Sequence, residues 1–297
     1  MSLVSLVKVR KNNFREAILR ALTLIDYEFQ RNIKNIVIKP NMCYYWDCST
    51  GQTTDPRYIG ALIDIIRQQT SPGTKISIVE ADASAMKCKY AFKFLGYEKL
   101  AREYDVGLVN LSEEESDPML VTVDGQRFRF MVPRIIRNAD LRLNVTSIKY
   151  SLDSVKMTSA LKNIFGCNPY PKKYRLHPKL NEAIVALNKA MKFDLCLIDS
   201  NIAAGGYVRK LGLAMASKDP VAVDTIGAKI MGINPSRLRY LKLAINEGLG
   251  SSDVICRGVP IEYFRERYPR KTARKKVMHK AYTMITLLKL GRKLGLE

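Results

Sequence analysis

Short aliphatic strands alternate with longer amphipathic helices along most of this chain, and that alternation restricts the fold more than any other feature. Asn35–Ile38 (NIVI) ends at Lys39-Pro40-Asn41, crosses a polar loop over 42–54 and enters a helix at Asp55-Pro56 that runs to about Gln69. Asp as the cap with Pro at the first helical position is a strong start signal. It recurs at Asp219-Pro220, where a strand over Leu211–Ala216 gives way to a helix reaching Met231. Asn13 caps a third helix, with Ala17, Ile18, Ala21, Leu22 and Ile25 on one face. Lys75–Val79, Val106–Leu111, Leu141–Val145 and Phe193–Ile198 read as further strands, and Asp124-Gly125 marks a hairpin. This order predicts the α/β class: a mostly parallel central sheet with helices on both faces. The predicted division is an α/β domain over residues 1–258 and a basic amphipathic helical tail over 259–297.

In an open parallel sheet, ligands bind beyond the carboxyl ends of the strands. Polar and ionisable residues gather at those ends here: Lys39 and Asn41, Glu80 and Asp82, Asn144, Asp199, then Ser217 and Asp219. The stretch Leu141–Gly166 is the richest. A strand delivers Asn144, a polar loop carries Lys149 and Lys156, and a short apolar helix bears Lys162 and Asn163 before a Gly166 stop. Lys149, Lys156 and Lys162 read as an anion-binding set, with Asn41, Asn144 and Asn163 as orienting groups, and Lys39, Thr53, Thr54 and Asp224 are further ligand-binding candidates. Glu80 and Asp199 are candidate acid or base, with Lys149 and Lys156 beside them as catalytic candidates. Asp224 sits in an apolar helical run, so it needs a partner, a nearby lysine being the simplest.

The formal net charge of +21 over 297 residues favours a polyanionic partner. The expected partner is an anionic small molecule bearing phosphate or carboxylate. The alternatives are a nucleic acid or an anionic membrane surface engaged through the tail, which carries eleven Lys or Arg against three Glu over 262–297. There is no G-x-G-x-x-G and no G-x-x-x-x-G-K-[ST], which excludes the conventional nucleotide loops. Residues 1–10 lack a long apolar run and no stretch reaches the ~18 apolar residues of a membrane span, so the expected location is cytoplasmic, with peripheral membrane attachment the variant. Six scattered cysteines then read as reduced thiols. Cys43 and Cys48 are a candidate metal pair, though C-x4-C fits no standard zinc or ferredoxin run. The cofactor is left open, a metal or iron–sulfur cluster being the alternative to none.

Several segments together resemble the family called domain of unknown function 362. They are IVIKPNM with TTDP (Lys39–Asn41, Thr53–Pro56), ISIVEAD, FLGYEKLA, LNVTSIKYS with VKMTSALKNIFG, HPKLNEAIVAL with LCLIDS, and LAMASKDPVAVDTIGAKIMG. They run in order over about 35–250. The resemblance implies an α/β protein of unsettled activity, with many members described as iron–sulfur proteins through an appended ferredoxin-like module. This chain has no C-x2-C-x2-C run, and Lys149-Tyr150-Ser151 stands where the family usually shows Lys-Thr-His. A remote similarity to the nickel-dependent lactate racemases goes with it. His177 and His279 are the only histidines, which argues against the same chemistry.

Overall fold

The computed structural model describes residues 1–151 and 154–270. The expected tail helix beyond residue 270 lies outside the described residues. The chain begins with β1 (Ser2–Lys8), α1 (Phe14–Leu24), β2 (Asn35–Pro40), α2 (Pro56–Gln69) and β3 (Lys75–Glu80). Two short helices, α3 (Cys88–Phe94) and α4 (Tyr97–Tyr104), lead to β4 (Gly107–Asn110). A hairpin of β5 (Ser116–Val123) and β6 (Gln126–Pro133) precedes α5 (Arg134–Arg137) and β7 (Leu141–Thr146). Then come β8 (Lys149–Tyr150), β9 (Met157–Thr158), α6 (Ala160–Asn163) and α7 (Leu180–Ala190). The last part holds β10 (Leu195–Ala204), β11 (Val208–Ser217), α8 (Pro220–Met231), α9 (Arg239–Asn246), β12 (Val254–Gly258) and α10 (Ile261–Arg267).

Eight strands form one sheet in the order β12-β1-β11-β10-β7-β2-β3-β4. Every pairing is parallel except the two made by β11, which runs against β1 and β10. The period-two side-chain alternation of strands fills two cores. Ile36, Ile38, Ile76, Ile78, Leu141, Leu143 and Leu197 face α1 to α4, whereas Val37, Val79, Cys196 and Ile198 face α6 to α10. Helices therefore cover both faces, as the alternating pattern predicts.

The cap signals act as read. Asn13 accepts from Glu16 N at 3.1 Å, and Asp55 accepts from Arg57 N at 2.9 Å. Asp219 accepts from Val221 N and Ala222 N at 2.8 and 3.0 Å. The hairpin turn at Asp124-Gly125 takes positive φ at both residues, 50° and 71°, as a two-residue turn of its type requires. Two expectations change. β11 is reversed, so Ser217 and Asp219 lie at the opposite edge of the sheet from the ends of β2, β3 and β7. Residues just past 258 belong to the body: Phe264 is fully buried, and the Tyr268 hydroxyl lies 3.2 and 3.3 Å from Ile148 O and Ala204 O, sharing its proton between them.

Candidate anion-binding cleft

From β2 the chain moves outward through β3 and β4 and later returns on the other side of β2 as β7. The loops after β2 and β7 therefore diverge, and a crevice opens at the carboxyl edge between them, as expected where strand order reverses. A cleft of about 590 Å³ occupies it. The loop after β2 contributes Asn41 to Tyr44 and Gln52, and the β3 end contributes Glu80, Ala81 and Ala83 to Met86. Lys149 and Thr158 come from the small β8–β9 hairpin, Lys162, Asn163 and Gly166 from the segment around α6, and Lys173 and His177 from the loop before α7. A separate hollow of about 460 Å³ between β1 and α1 lies away from these strand ends.

The floor is built from hydrogen bonds. Asn144, fully buried on β7, donates to Ala160 O at 2.8 Å and accepts from Asn163 Nδ2 at 2.8 Å. Asn163 accepts from Asn41 Nδ2 at 2.9 Å, and Asn41 Oδ1 accepts from Lys149 Nζ at 2.6 Å. This relay runs from the sheet to the cleft and fixes each amide. Lys149 also donates to Gln52 O. Thr54 accepts from Asn41 N at 2.9 Å and donates to Val145 O at 3.2 Å, while Thr53 accepts from Cys43 N at 3.4 Å. The two threonines hold the loop in place; neither lines the cleft.

Among the described residues four lysines line the cleft with one carboxylate, Glu80. Lys39 is 1% exposed and pairs with Glu80 at 2.7 Å, also donating to Pro40 O at 2.5 Å. Glu80 accepts from Ala81 N at 3.0 Å through its second oxygen. The other three lysines have no carboxylate partner among the described residues. Burial lowers Lys149 to about 8, with Lys162 and Lys39 pushing the same way. Burial likewise lowers Lys173 to about 8, and Lys173 donates to Gly166 O at 2.9 Å. Lys162 is lowered too, by burial, and donates to Thr158 Oγ1 at 3.3 Å. His177 is also lowered, first by burial and then by Lys162. Three desolvated lysine amines thus line one hollow, and among the described residues Glu80 is the carboxylate that lines it with them.

Gly166 has a different role from the helix stop expected of it. The helix is shorter than its apolar pattern suggests: α6 ends at Asn163 and a 3-10 turn, Ile164–Cys167, follows. A Cβ on Gly166 would sit 3.0 Å from Lys39 Cε and 3.1 Å from Glu80 Oε1. The glycine leaves room for the ion pair. Gly166→Ala is expected to lower stability by about 1–3 kcal/mol, the usual range for overpacking, seen as a reduced urea midpoint at unchanged slope. A midpoint within error of wild type would show that the pair shifts freely.

Of the residues read from the sequence, Lys39, Asn41, Cys43, Glu80, Lys149, Lys162 and Asn163 line the cleft, with Asn144, Thr53 and Thr54 directly supporting it. Four do not come to it: Asp199, Lys156, Asp224 and Cys48. Asp199 lies within β10 and points to the α2 face, as Leu197 does; there it accepts from Asp55 N at 2.9 Å and Asn201 N at 3.3 Å. Burial raises it to about 7. It thus steadies the α2 start, and its expected partnership with Glu80 in one cleft is not what the fold provides. Lys156 occupies the turn side of the β8–β9 hairpin at φ 64° and donates to Arg237 O at 3.2 Å, away from the cleft. Asp224 is buried on α8 below α6. Its partner is the Tyr240 hydroxyl at 3.1 Å, with Ser159 and the N–H groups of Ala160 and Leu161 nearby, so the lysine expected for it is replaced by a tyrosine and a helix start. Burial raises it to about 7. Lys173 was not singled out by the sequence, since nothing there distinguishes it from Lys172 and Arg175.

A family model described as Domain of unknown function (DUF362) matches residues 36–229. The chain belongs to this family. The DUF362 match spans the strands and loops that build the cleft, from β2 to α8. No curated protein matches the sequence. Among solved structures, the fold is similar to that of the lactate racemase apoprotein from Thermoanaerobacterium thermosaccharolyticum, with TM-score 0.50 and 12% sequence identity. The likeness covers 78% of this chain and 58% of that one, so the chain spans little more than half of that neighbour. At this identity the two share a fold. No helix among the described residues is long and apolar enough to cross a membrane.

The thiols do not supply a metal set. Cys43 and Cys48 are free; Cys43 lines the cleft, whereas Cys48 lies beside Asp55 and is raised to about 12, chiefly by burial. Cys167, buried near Lys39 and Glu80, is also raised to about 12 by burial. Among the described residues no three His, Cys, Asp or Glu side chains gather as metal ligands. Among the described residues the donors do not fit an iron–sulfur cluster or a tightly held metal, both of which need thiolates or several convergent ligands.

Proposed function

We propose that the protein holds a small anionic molecule, bearing phosphate or carboxylate, in the cleft between the ends of β2, β3 and β7. The observation that carries this reading is the charge balance there among the described residues: Lys39, Lys149, Lys162 and Lys173 against the carboxylate of Glu80. Lys149, Lys162 and Lys173 are the anion's contacts. The Lys39–Glu80 pair is the rigid wall behind them. The Asn144–Asn163–Asn41 relay orients Lys149 and leaves its remaining donor capacity for the ligand. With their amines lowered to about 8, Lys149 and Lys173 are groups here able to exchange a proton with a bound substrate near neutral pH. Lactate, the substrate in the name of the structural neighbour, is a small carboxylate and falls in the proposed ligand class.

Calorimetric titration with pyrophosphate and with small carboxylates at pH 7 tests this. Wild type is expected to bind at least one of these anions with measurable heat. Lys149→Met and Lys173→Met are each expected to weaken binding about 10- to 150-fold, the size of one charge-assisted hydrogen bond at ~1.5–3 kcal/mol. Equal binding by wild type and a folded Lys149→Met/Lys173→Met protein would remove the cleft as the anion site.

A further inference from the structure

The surface around the cleft mouth is rich in exposed aromatic rings. Tyr44, Trp46 and Tyr174 are about half exposed, Tyr170 is 57% exposed and Phe94 is 61% exposed. Hydrogen bonds and ring contacts join the segments that carry them. The Tyr45 hydroxyl accepts from Lys87 N at 2.9 Å, and its ring meets Phe94 edge-on at 5.7 Å. Ser84 donates to Pro171 O at 3.2 Å, which ties the loop after β3 to the loop bearing Tyr170 and Tyr174. Tyr44 and Tyr174 line the cleft itself. The result is one patch around the opening.

An exposed aromatic patch of this kind marks an interaction surface. Its charge narrows the partner. Lys93, Lys172 and Arg175 are exposed and adjoin Phe94, Pro171 and Tyr174 in the sequence, while Asp82 is paired with Lys87 at 2.8 Å and Asp47 accepts from Ser49 N at 2.8 Å. Tyr and Trp mixed with Lys and Arg is the composition that settles at a bilayer headgroup layer. A single nucleic-acid strand needs open ring faces in file along a basic groove. Here Phe94 stacks on Tyr90 and meets Tyr45 edge-on, so those rings are packed together rather than spaced.

We propose that this rim docks the protein on an anionic phospholipid bilayer, with Tyr44, Trp46 and Phe94 entering the headgroup layer and the neighbouring basic side chains meeting lipid phosphates. Docking in this way brings the cleft mouth to the membrane surface. The proposal stands apart from the cleft's own ligand and from residues 271–297.

Trp46 is the protein's single tryptophan and reports the contact directly. Full-length protein is titrated with vesicles of phosphatidylcholine alone or with 30% phosphatidylserine, with and without bromine on the acyl chains near the headgroups. With phosphatidylserine present, a blue shift of Trp46 emission and quenching by the brominated lipid are expected, both weakened by 0.5 M salt. Tyr44→Ser/Phe94→Ser is expected to reduce vesicle partitioning, read by Trp46, at least tenfold with an unchanged melting temperature. Lys149→Met is expected to leave the Trp46 response intact, which separates this surface from the cleft. Sedimentation with vesicles without Trp46 quenching would place the contact elsewhere and overturn the proposal. So would a Trp46 response to a single-stranded oligonucleotide but not to vesicles.

Discussion

Lys39→Met is expected to destabilise the protein by about 3–5 kcal/mol, the range found when one member of a buried ion pair is removed. The size follows from what remains. Glu80 is 2% exposed, and without Lys39 it keeps only the Ala81 N–H for a carboxylate with two oxygens. Methionine fills much of the lysine stem's volume, so the loss reports the stranded charge rather than a cavity. Adding Glu80→Gln to that variant removes the charge and is expected to return more than half of the lost stability. Urea unfolding of the two single variants and the double variant reads all three values in one cycle. A loss under 1 kcal/mol for Lys39→Met, or no recovery in the double variant, would mean that Glu80 finds another partner.

The second large effect is in pH dependence. Lys149 and Lys173 lie near 8 in the folded protein and near their ordinary 10.5 when unfolded. Between those values the unfolded chain binds more protons, so stability gained from these groups rises as pH rises from about 8 to 10.5. A shift of this size corresponds to roughly 3 kcal/mol per lysine. Other groups act in the same region. Buried Cys88, Cys167 and Cys196 are raised, so their contribution falls as pH climbs past 9. The useful quantity is therefore the difference between Lys149→Met and wild type, in which the thiols cancel. That difference, variant minus wild type, is expected to fall by up to about 3 kcal/mol from pH 8 to pH 10.5. It should be flat between pH 6 and 7. A difference independent of pH throughout would show that Lys149 keeps an ordinary amine.

Much of this architecture is legible in the residues. Asn13, Asp55 and Asp219 start helices because a short polar side chain beside the first turn satisfies N–H groups that nothing else reaches. Lys39, Asn41, Glu80 and Asn144 meet because parallel strands deliver their carboxyl ends to one edge, and the small hairpin after β7 adds Lys149. The failures share a physical cause. Asp199, Ser200 and Asn201 look like a strand terminus, yet β10 continues to Ala204 and turns back through Gly205-Gly206 as β11. Their side chains find partners on neighbouring segments: Asp199 accepts from Asp55 N, Ser200 Oγ from Ile148 N, and Asn201 Nδ2 donates to Asn12 Oδ1. That hidden hairpin also reverses β11 and carries Asp219 away from the cleft. Lys156 and Lys149 are seven positions apart, but a small hairpin turns one inward and the other outward. Lys173 lies in a 3-10 stretch, Lys173–Lys179, whose sequence has no period that would say which of its basic residues faces in. The ring contacts joining Tyr45, Phe94 and Tyr90 need the folded loops and leave no spacing signature.

The central claim is that the cleft lysines are short of a counter-charge that an anion supplies. An anion bound there raises Lys149 and Lys173 toward their ordinary values, so above pH 8 binding must take up protons. The direct measurement is calorimetric titration with pyrophosphate, or whichever anion binds at pH 7, at pH 8.5 in buffers of different ionisation heat. The account predicts a net uptake of about one to two protons per anion bound, reduced in Lys149→Met and in Lys173→Met. Binding without proton uptake, or with release, would contradict it.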